Sequence, residues 1–318
     1  GICDSIRLIN NVISGGYYGL YFYGGSSSPG GYNTNIYIDS NIIEKAYYYS
    51  YYFYYTDLNS FSYNKIYPRV GNTDHYMRFY YTNHYNTVCN TFDYSKTNVK
   101  YAYNYFYYPH YANYNGLGLI ANNEIILSPY AQEGYGMYLS NTNGTVRVYH
   151  NSIFDPGTSN YSRGLYLNCS SGTGTFEIIS NNVWSNGYPI YVTGSSVSVT
   201  SDYNNFYGTG SRIGYFNTDC SSLSDWQTAS GDLTSVNVAP QYLDSTESLE
   251  LISSTGLTCP QLSTVISDKL GNLRNTTTTI GCYEFLPKSY DVAAKSITSP
   301  NGTLITGTAT SSSVLVRN

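Results

Sequence analysis

The sequence predicts an all-β chain: a right-handed parallel β-helix of about eight coils, closed by a C-terminal cap. Three observations predict it. An Asn recurs at intervals in the solenoid range, an alternating apolar run precedes each Asn, and the composition favours strands and turns over helices.

A chain of 318 residues can bury a sizeable core. Charged residues make up 11%, while Tyr alone supplies 41 positions. Tyr and Thr favour strands, and Gly and Asn favour turns. The wealth of aromatics argues against disorder despite the low charge. The formal net charge is −5, and the fifteen Lys and Arg are scattered without a basic run. A groove that tracks phosphates needs clustered cations, so no nucleic-acid partner is expected. There is no run of eighteen apolar residues, so no membrane span is expected in this segment.

The repeat is an Asn followed by two residues, the second apolar or aromatic. It falls at Asn11, Asn41, Asn64, Asn90, Asn123, Asn151, Asn182 and Asn205, with successive differences of 30, 23, 26, 33, 28, 31 and 23. Periods of this size mark solenoids. Runs such as Ile36-Tyr37-Ile38-Asp39 and Val146-Arg147-Val148-Tyr149 lead into the Asn. Runs such as Gly136-Met137-Tyr138-Leu139 and Gly164-Leu165-Tyr166-Leu167 follow after a variable polar stretch. Period-two alternation means strands with one buried face. Each repeat therefore reads as strand, Asn turn, short strand, loop, strand. Asn tolerates the left-handed backbone of a tight turn, and stacked coils align its amide with the next, giving a ladder of donors and acceptors. A propeller needs longer repeats, and a sandwich lacks this Asn period.

After Asn205 the pattern fades. Residues 220–287, with Asp225-Trp226 and Leu249-Glu250-Leu251, are expected to form terminal coils and a cap over the last coil. Near their end stands Asp268-Lys269-Leu270-Gly271-Asn272-Leu273-Arg274, followed by Ile280-Gly281-Cys282-Tyr283-Glu284-Phe285. This resembles the closing signature of secreted bacterial right-handed β-helix domains, the pectate-lyase-like superfamily common in Bacteroidota surface proteins. That signature is an Asp, a Gly, an Arg, then Ile-Gly-Ala-Tyr-Glu. Here Cys282 replaces the Ala, and no Pro precedes the Ile. The coil motifs of residues 1–219 resemble the same family. The resemblance implies secretion or display at the cell surface. Residues 288–318 resemble the opening strands of an immunoglobulin-like adhesion module, too short to complete a sandwich of about 100 residues. The chain opens at Gly1 directly into the repeat, with no signal peptide, and ends in a strand-like run; it is expected to be part of a longer polypeptide.

Cys3, Cys89, Cys169, Cys220, Cys259 and Cys282 include no close-spaced pair, so no metal or cofactor is expected. The first three read as small buried residues, and the last three allow a disulfide in a secreted protein. Enzymes of the resembled fold need paired carboxylates, or a Lys or Arg base with acid-bound calcium. No matched acids appear on adjacent coils. The best polar concentration is Lys65, Arg69, Asp74, His75, Arg78 and His84, with Asp93 and Lys96 on the next coil.

Tyr is the other unusual feature. Tyr47 to Tyr55 holds seven Tyr in nine positions, and Tyr101 to Tyr114 seven in fourteen. Alternation turns about half outward, where stacked coils would align them into a strip. Tyr51, Tyr54, Tyr103 and Tyr107 are the candidate ligand-binding residues of that strip. The expected function is a non-catalytic segment of a large surface protein, an adhesin or stalk that binds a surface glycan or another extracellular protein. The alternatives are a polysaccharide lyase or glycoside hydrolase acting through the Lys65–His84 region, and a structural spacer or filament subunit.

Overall fold

A computed structural model describes residues 2–26, 28, 30–111, 117–287, 293–299 and 313–317. Tyr114 and most of the expected immunoglobulin-like segment, 288–318, lie outside the described residues. The chain divides into two compact units, Gly1–Phe285 and Leu286–Asn318. Within the second, Ala293–Ser299 and Ser313–Arg317 pair antiparallel.

The first unit is a parallel β-solenoid of about seven turns. The eight Asn positions read from the sequence enclose seven intervals, which accounts for one turn fewer than the expected coils. Each turn lays down three strands, and each strand pairs in parallel with its counterpart one turn on. The ladder face is a sheet of eight short strands, from Val12–Ser14 to Asn205–Tyr207. The Tyr face begins with Tyr18–Tyr23 and passes through Asp74–His84, Tyr101–Tyr107, Glu133–Thr142, Arg163–Gly172 and Tyr188–Thr193 to Gly214–Phe216. A third face runs from Arg7–Ile9 to Ser198–Asp202. The long strand Tyr49–Ser62 turns a corner and pairs on both of these faces.

Alternation sends every second side chain inward. On the Tyr face the inward column is Phe22, Phe53, Phe79, Phe106, Leu139, Leu167 and Val192, in register. On the ladder face it is Ile13, Ile43, Ile66, Phe92, Ile125, Ile153, Val183 and Phe206. Nearly all are buried. Each such side chain contributes about 1.5–3 kcal/mol by leaving water.

The expected Asn ladder is present and continuous, but the ladder Asn does not hold the left-handed turn. Asn64 is typical: its Nδ2 donates to Asn90 Oδ1 at 3.0 Å and to the Ile38 carbonyl at 2.8 Å, while Asn90 Oδ1 also accepts from Asn64 N. The left-handed backbone belongs to the preceding residue. Asn10, Ser40, Tyr63, Cys89, Asn122, His150, Ser180 and Tyr203 all have φ between 51° and 60°. Ladder Asn is therefore selected for its amide, which satisfies the buried backbone of the coils on either side. The turn tolerates Tyr, Cys and His because the stacked neighbours impose its conformation.

The last two ladder positions are corrected by one residue. Asn181 and Asn204 carry the ladder, not Asn182 and Asn205. Both stretches are Asn-Asn pairs, and the strand of the seventh coil begins at Asn182 itself. Asn182 and Asn205 form a separate bond, Asn205 Nδ2 to Asn182 Oδ1 at 2.9 Å. The ladder ends where Asn204 N donates to Ser235 Oγ.

The expected cap divides in two. The helix Leu223–Ser230 covers the last coil, started by a capping box of Ser222 and Asp225. It buries Trp226 edge-on against Phe206 and Phe216. Residues 242–285 instead run back along the flank as a strap. Tyr242 packs on Phe154 and Trp184, Arg274 Nη2 donates to Asn122 Oδ1, Gly281 N donates to the Ser180 carbonyl, and Cys282 N donates to Ser152 Oγ. The strap covers apolar residues that point outward from two faces, including Ile126, Phe154, Ala121 and Tyr149. Loss of the Asn period marks where the solenoid ends but not where the chain then goes.

The disulfide expectation is also corrected: all six cysteines are free, with Cys3 exposed and the others buried. Cys220 lies beside the cap helix, whereas Cys282 lies against Ser152 on the flank.

Candidate functional site: a tyrosine-paved face

The polar residues from Lys65 to His84 do not converge. His75 and His84 point into the core, where Nε2 of His75 meets Ser50 Oγ at 2.9 Å and Nδ1 of His84 meets Thr87 Oγ1 at 2.7 Å. Burial pushes both imidazoles down to about 3, so they are neutral core residues at ordinary pH. Lys65 is exposed on the ladder face and Arg69 on the loop after it. Asp74 and Arg78 sit outward on the Tyr face. Asp93 accepts from Ser95 N, and Lys96 pairs with Glu247 of the strap at 2.7 Å. Although close in sequence, these groups spread over two faces, the loops and the interior.

The Tyr residues do converge. Register aligns Tyr21, Tyr52, Arg78, Tyr105, Tyr138, Tyr166, Tyr191 and Tyr215 in one outward column. A second column holds Tyr23, Tyr54, Tyr80 and Tyr107 before passing to Ser140 and Asn168. A third holds Tyr18, Tyr49, Tyr76, Tyr103, Tyr135, Arg163 and Tyr188. Many rings stack along the columns: Tyr54 on Tyr80 with centroids 5.3 Å apart, Tyr103 on Tyr135 at 4.6 Å, Tyr138 on Tyr166 at 4.2 Å.

Two arginines are set into this pavement. Arg78 lies over Tyr76 at 5.0 Å and Tyr49 at 5.4 Å. Arg163 lies over Tyr191 at 4.1 Å and Tyr166 at 4.6 Å, and its Nη1 donates to the Tyr135 hydroxyl. That hydroxyl in turn donates to Glu133 Oε1. Guanidinium over an aromatic face is held by the ring quadrupole. Desolvation raises Tyr54 to about 12, so this surface phenol stays neutral at physiological pH.

Of the four Tyr singled out from the sequence, Tyr54, Tyr103 and Tyr107 face outward. Tyr51 is a correction. It lies wholly inside, in register with Leu20 and Met77 and edge-on to Phe61 at 4.8 Å. Strand parity puts Tyr51 and Phe53 on one side and Tyr52 and Tyr54 on the other, so the outward partner is Tyr52. Residue type does not distinguish these neighbours.

One edge of the Tyr face is acidic, a feature that sequence reading missed. Asp74, Tyr101 and Glu133 share a register position on successive coils. Two open hollows lie along this edge. One, of about 230 Å³, is lined by Tyr47, Tyr48, Asn72 and Asp74. The other, of about 460 Å³, is lined by Gln132, Glu133, Ser159 and Tyr161. Loops of unequal length separate these residues in the chain, which hides their alignment.

Among the described residues there is no group of three or more His, Cys, Asp or Glu that could hold a metal ion, and no helix long and apolar enough to cross a membrane. Fold and face together define a parallel β-solenoid with an aromatic-paved side. No family model matches the chain, and neither a curated protein nor a solved structure matches it.

Proposed function

We propose that this chain is a non-catalytic binding segment of a large secreted cell-surface protein, an adhesin or stalk, and that it takes up a glycan lengthwise on the Tyr face. The observation that carries the reading is the set of three aligned columns of outward Tyr across the coils, the longest interrupted only by Arg78. Flat amphipathic rings stack on the apolar faces of sugars and leave their hydroxyls to bond at the rim. A contiguous exposed aromatic surface of this extent is unusual without a partner. Asp74, Asn72, Gln132 and Glu133 supply polar groups along one edge. The secreted setting and the Bacteroidota-type family are proposed from the resemblance of residues 1–219 and 268–285, and the immunoglobulin-like module from that of residues 288–318.

The test is binding of the intact chain to a panel of soluble and insoluble polysaccharides. Replacing Tyr54, Tyr103 and Tyr107 together with Ser is expected to weaken binding about tenfold or more, since each aromatic contact contributes about 0.5–1.5 kcal/mol. Unchanged binding with an intact circular dichroism spectrum would overturn the reading.

A second reading, hydrolysis of the bound glycan, rests on the alignment of Asp74 with Glu133. Two coil spacings separate their backbones by about 9.6 Å, near the upper end of the roughly 6.5–9.5 Å between carboxyls that suits inverting glycosidases. It predicts new reducing ends from a neutral polysaccharide, abolished by Asp74→Asn or Glu133→Gln. Their absence across the panel and across pH retires it.

A further inference from the structure

The outward column carries a chemistry apart from binding. Its rings are unevenly disposed. Tyr138 and Tyr166 lie parallel, with centroids 4.2 Å apart and planes 8° apart. Tyr191 and Tyr215 do the same at 4.3 Å and 10°. Between the two pairs, Tyr166 meets Tyr191 edge-on at 5.3 Å and 88°. The Arg163 guanidinium lies over both of these rings. At the near end Tyr105 is tilted by 33° against Tyr138.

Both parallel pairs hang from residues directly opposed in register. The rings of each pair are therefore held face to face, one coil apart. In the edge-on contact the rings do not lie face to face. All four rings are partly exposed and open to solution.

We propose that Tyr138–Tyr166 and Tyr191–Tyr215 are sites of oxidative coupling, which joins consecutive coils through dityrosine. The oxidant is hydrogen peroxide acting through a haem peroxidase, which takes one electron at a time. Each Tyr gives one electron to the oxidant and its phenolic proton to water, leaving a neutral phenoxyl radical. The two radicals pair their electrons in a new carbon–carbon bond between ortho carbons. Each coupled carbon then sheds its hydrogen as a proton while each oxygen takes one up, and both rings regain aromaticity. In sum two Tyr lose two hydrogen atoms, and one peroxide is reduced to two waters. Register holds each pair in contact before oxidation, so the bond forms within the chain rather than between chains. Each cross-link closes a loop that spans one coil, restricting the unfolded chain as a disulfide does.

The test exposes the full chain, at high dilution, to peroxide and a haem peroxidase. Dityrosine fluorescence reports coupling, and digestion with mass spectrometry maps it. The expected result is a monomeric chain with cross-linked peptides at Tyr138–Tyr166 and Tyr191–Tyr215, two hydrogens lighter per link, and a raised unfolding temperature. Phe substitution at Tyr138 and Tyr191 keeps both stacked rings, so the fold is retained, and should remove most of the fluorescence. Unchanged fluorescence in that variant overturns the proposal. So do links mapped chiefly to edge-on pairs such as Tyr166–Tyr191, links only between chains, or no dityrosine in the unsubstituted chain.

Discussion

Lys269 of the strap and Glu124 of the ladder face form a buried ion pair, Nζ to Oε2 at 2.6 Å, with side chains 9% and 3% exposed. Lys269 also reaches the Asn90 carbonyl, and Glu124 Oε1 accepts from Leu249 N. The pair thus fastens both limbs of the strap to the middle of the solenoid.

Removing one partner leaves the other charged and buried, which costs about 3–5 kcal/mol. Glu124→Gln is therefore expected to destabilise the chain by several kcal/mol, read by urea unfolding, and to open residues 242–285 to limited proteolysis. The double replacement Lys269→Met with Glu124→Leu should cost less than either single one. Equal protease resistance in all variants would mean that the strap is held by its apolar contacts alone.

Ladder register gives a sharper contrast. Asn181 Nδ2 donates to Asn204 Oδ1 and the Val148 carbonyl, and its Oδ1 accepts from Asn151. Asn182 makes one side-chain bond, accepting from Asn205, and its Nδ2 has no partner. A buried group left without its bond costs about 1–3 kcal/mol. Asn181→Ala should therefore lower stability by more than Asn182→Ala, by about 2 kcal/mol. The reverse order in chemical denaturation would contradict the assignment.

Asp155 supplies a pH dependence. It is fully buried, and although Ser185 Oγ and Gly157 N donate to it, burial outweighs them and raises its carboxyl from 3.8 to about 7. The folded state binds this proton more tightly than the unfolded state. Its stability contribution is thus complete below about pH 4 and is lost as pH rises through about 7. Asp155→Asn should flatten this downward slope. His75 and His84, whose folded values are depressed, slope the other way between about 3 and 6.5. The comparison is therefore between the stability–pH profiles of the two proteins, and superimposable profiles would refute the role given to Asp155.

Tyr51 and Tyr54 should part company. The Tyr51 hydroxyl is buried without a hydrogen-bond partner, so Tyr51→Phe should leave stability equal or higher and glycan binding unchanged. Tyr54→Ser should weaken binding with a smaller change in stability than a core truncation. A binding loss in Tyr51→Phe would show that the inward hydroxyl matters to the face.

The solenoid was legible because its signals are local: the Asn period and the alternating runs sit within one coil. Even there, Asn181-Asn182 shows the limit, since an Asn-Asn pair fits the pattern in either frame and only the strand start decides. The Tyr excess was legible as a surface feature, but the parity separating Tyr51 from Tyr52 depends on where the corner of Tyr49–Ser62 falls. Relations across long separations were not legible. Lys269 and Glu124 are 145 positions apart, and Asp74 and Glu133 are aligned only once the intervening loops are folded. The Lys65–His84 cluster misled for the converse reason: neighbours along a strand point to opposite faces.

The most direct test of the Tyr face compares two triple replacements with matched chemistry. One changes Tyr54, Tyr103 and Tyr107 to Ser, all within the columns. The other changes Tyr63, Tyr67 and Tyr130 to Ser, which are accessible but lie off the columns. Affinity for the best-bound polysaccharide should fall about tenfold or more in the first and stay within about twofold in the second. Equal loss in both, or loss only in the second, would contradict the assignment of binding to the columns.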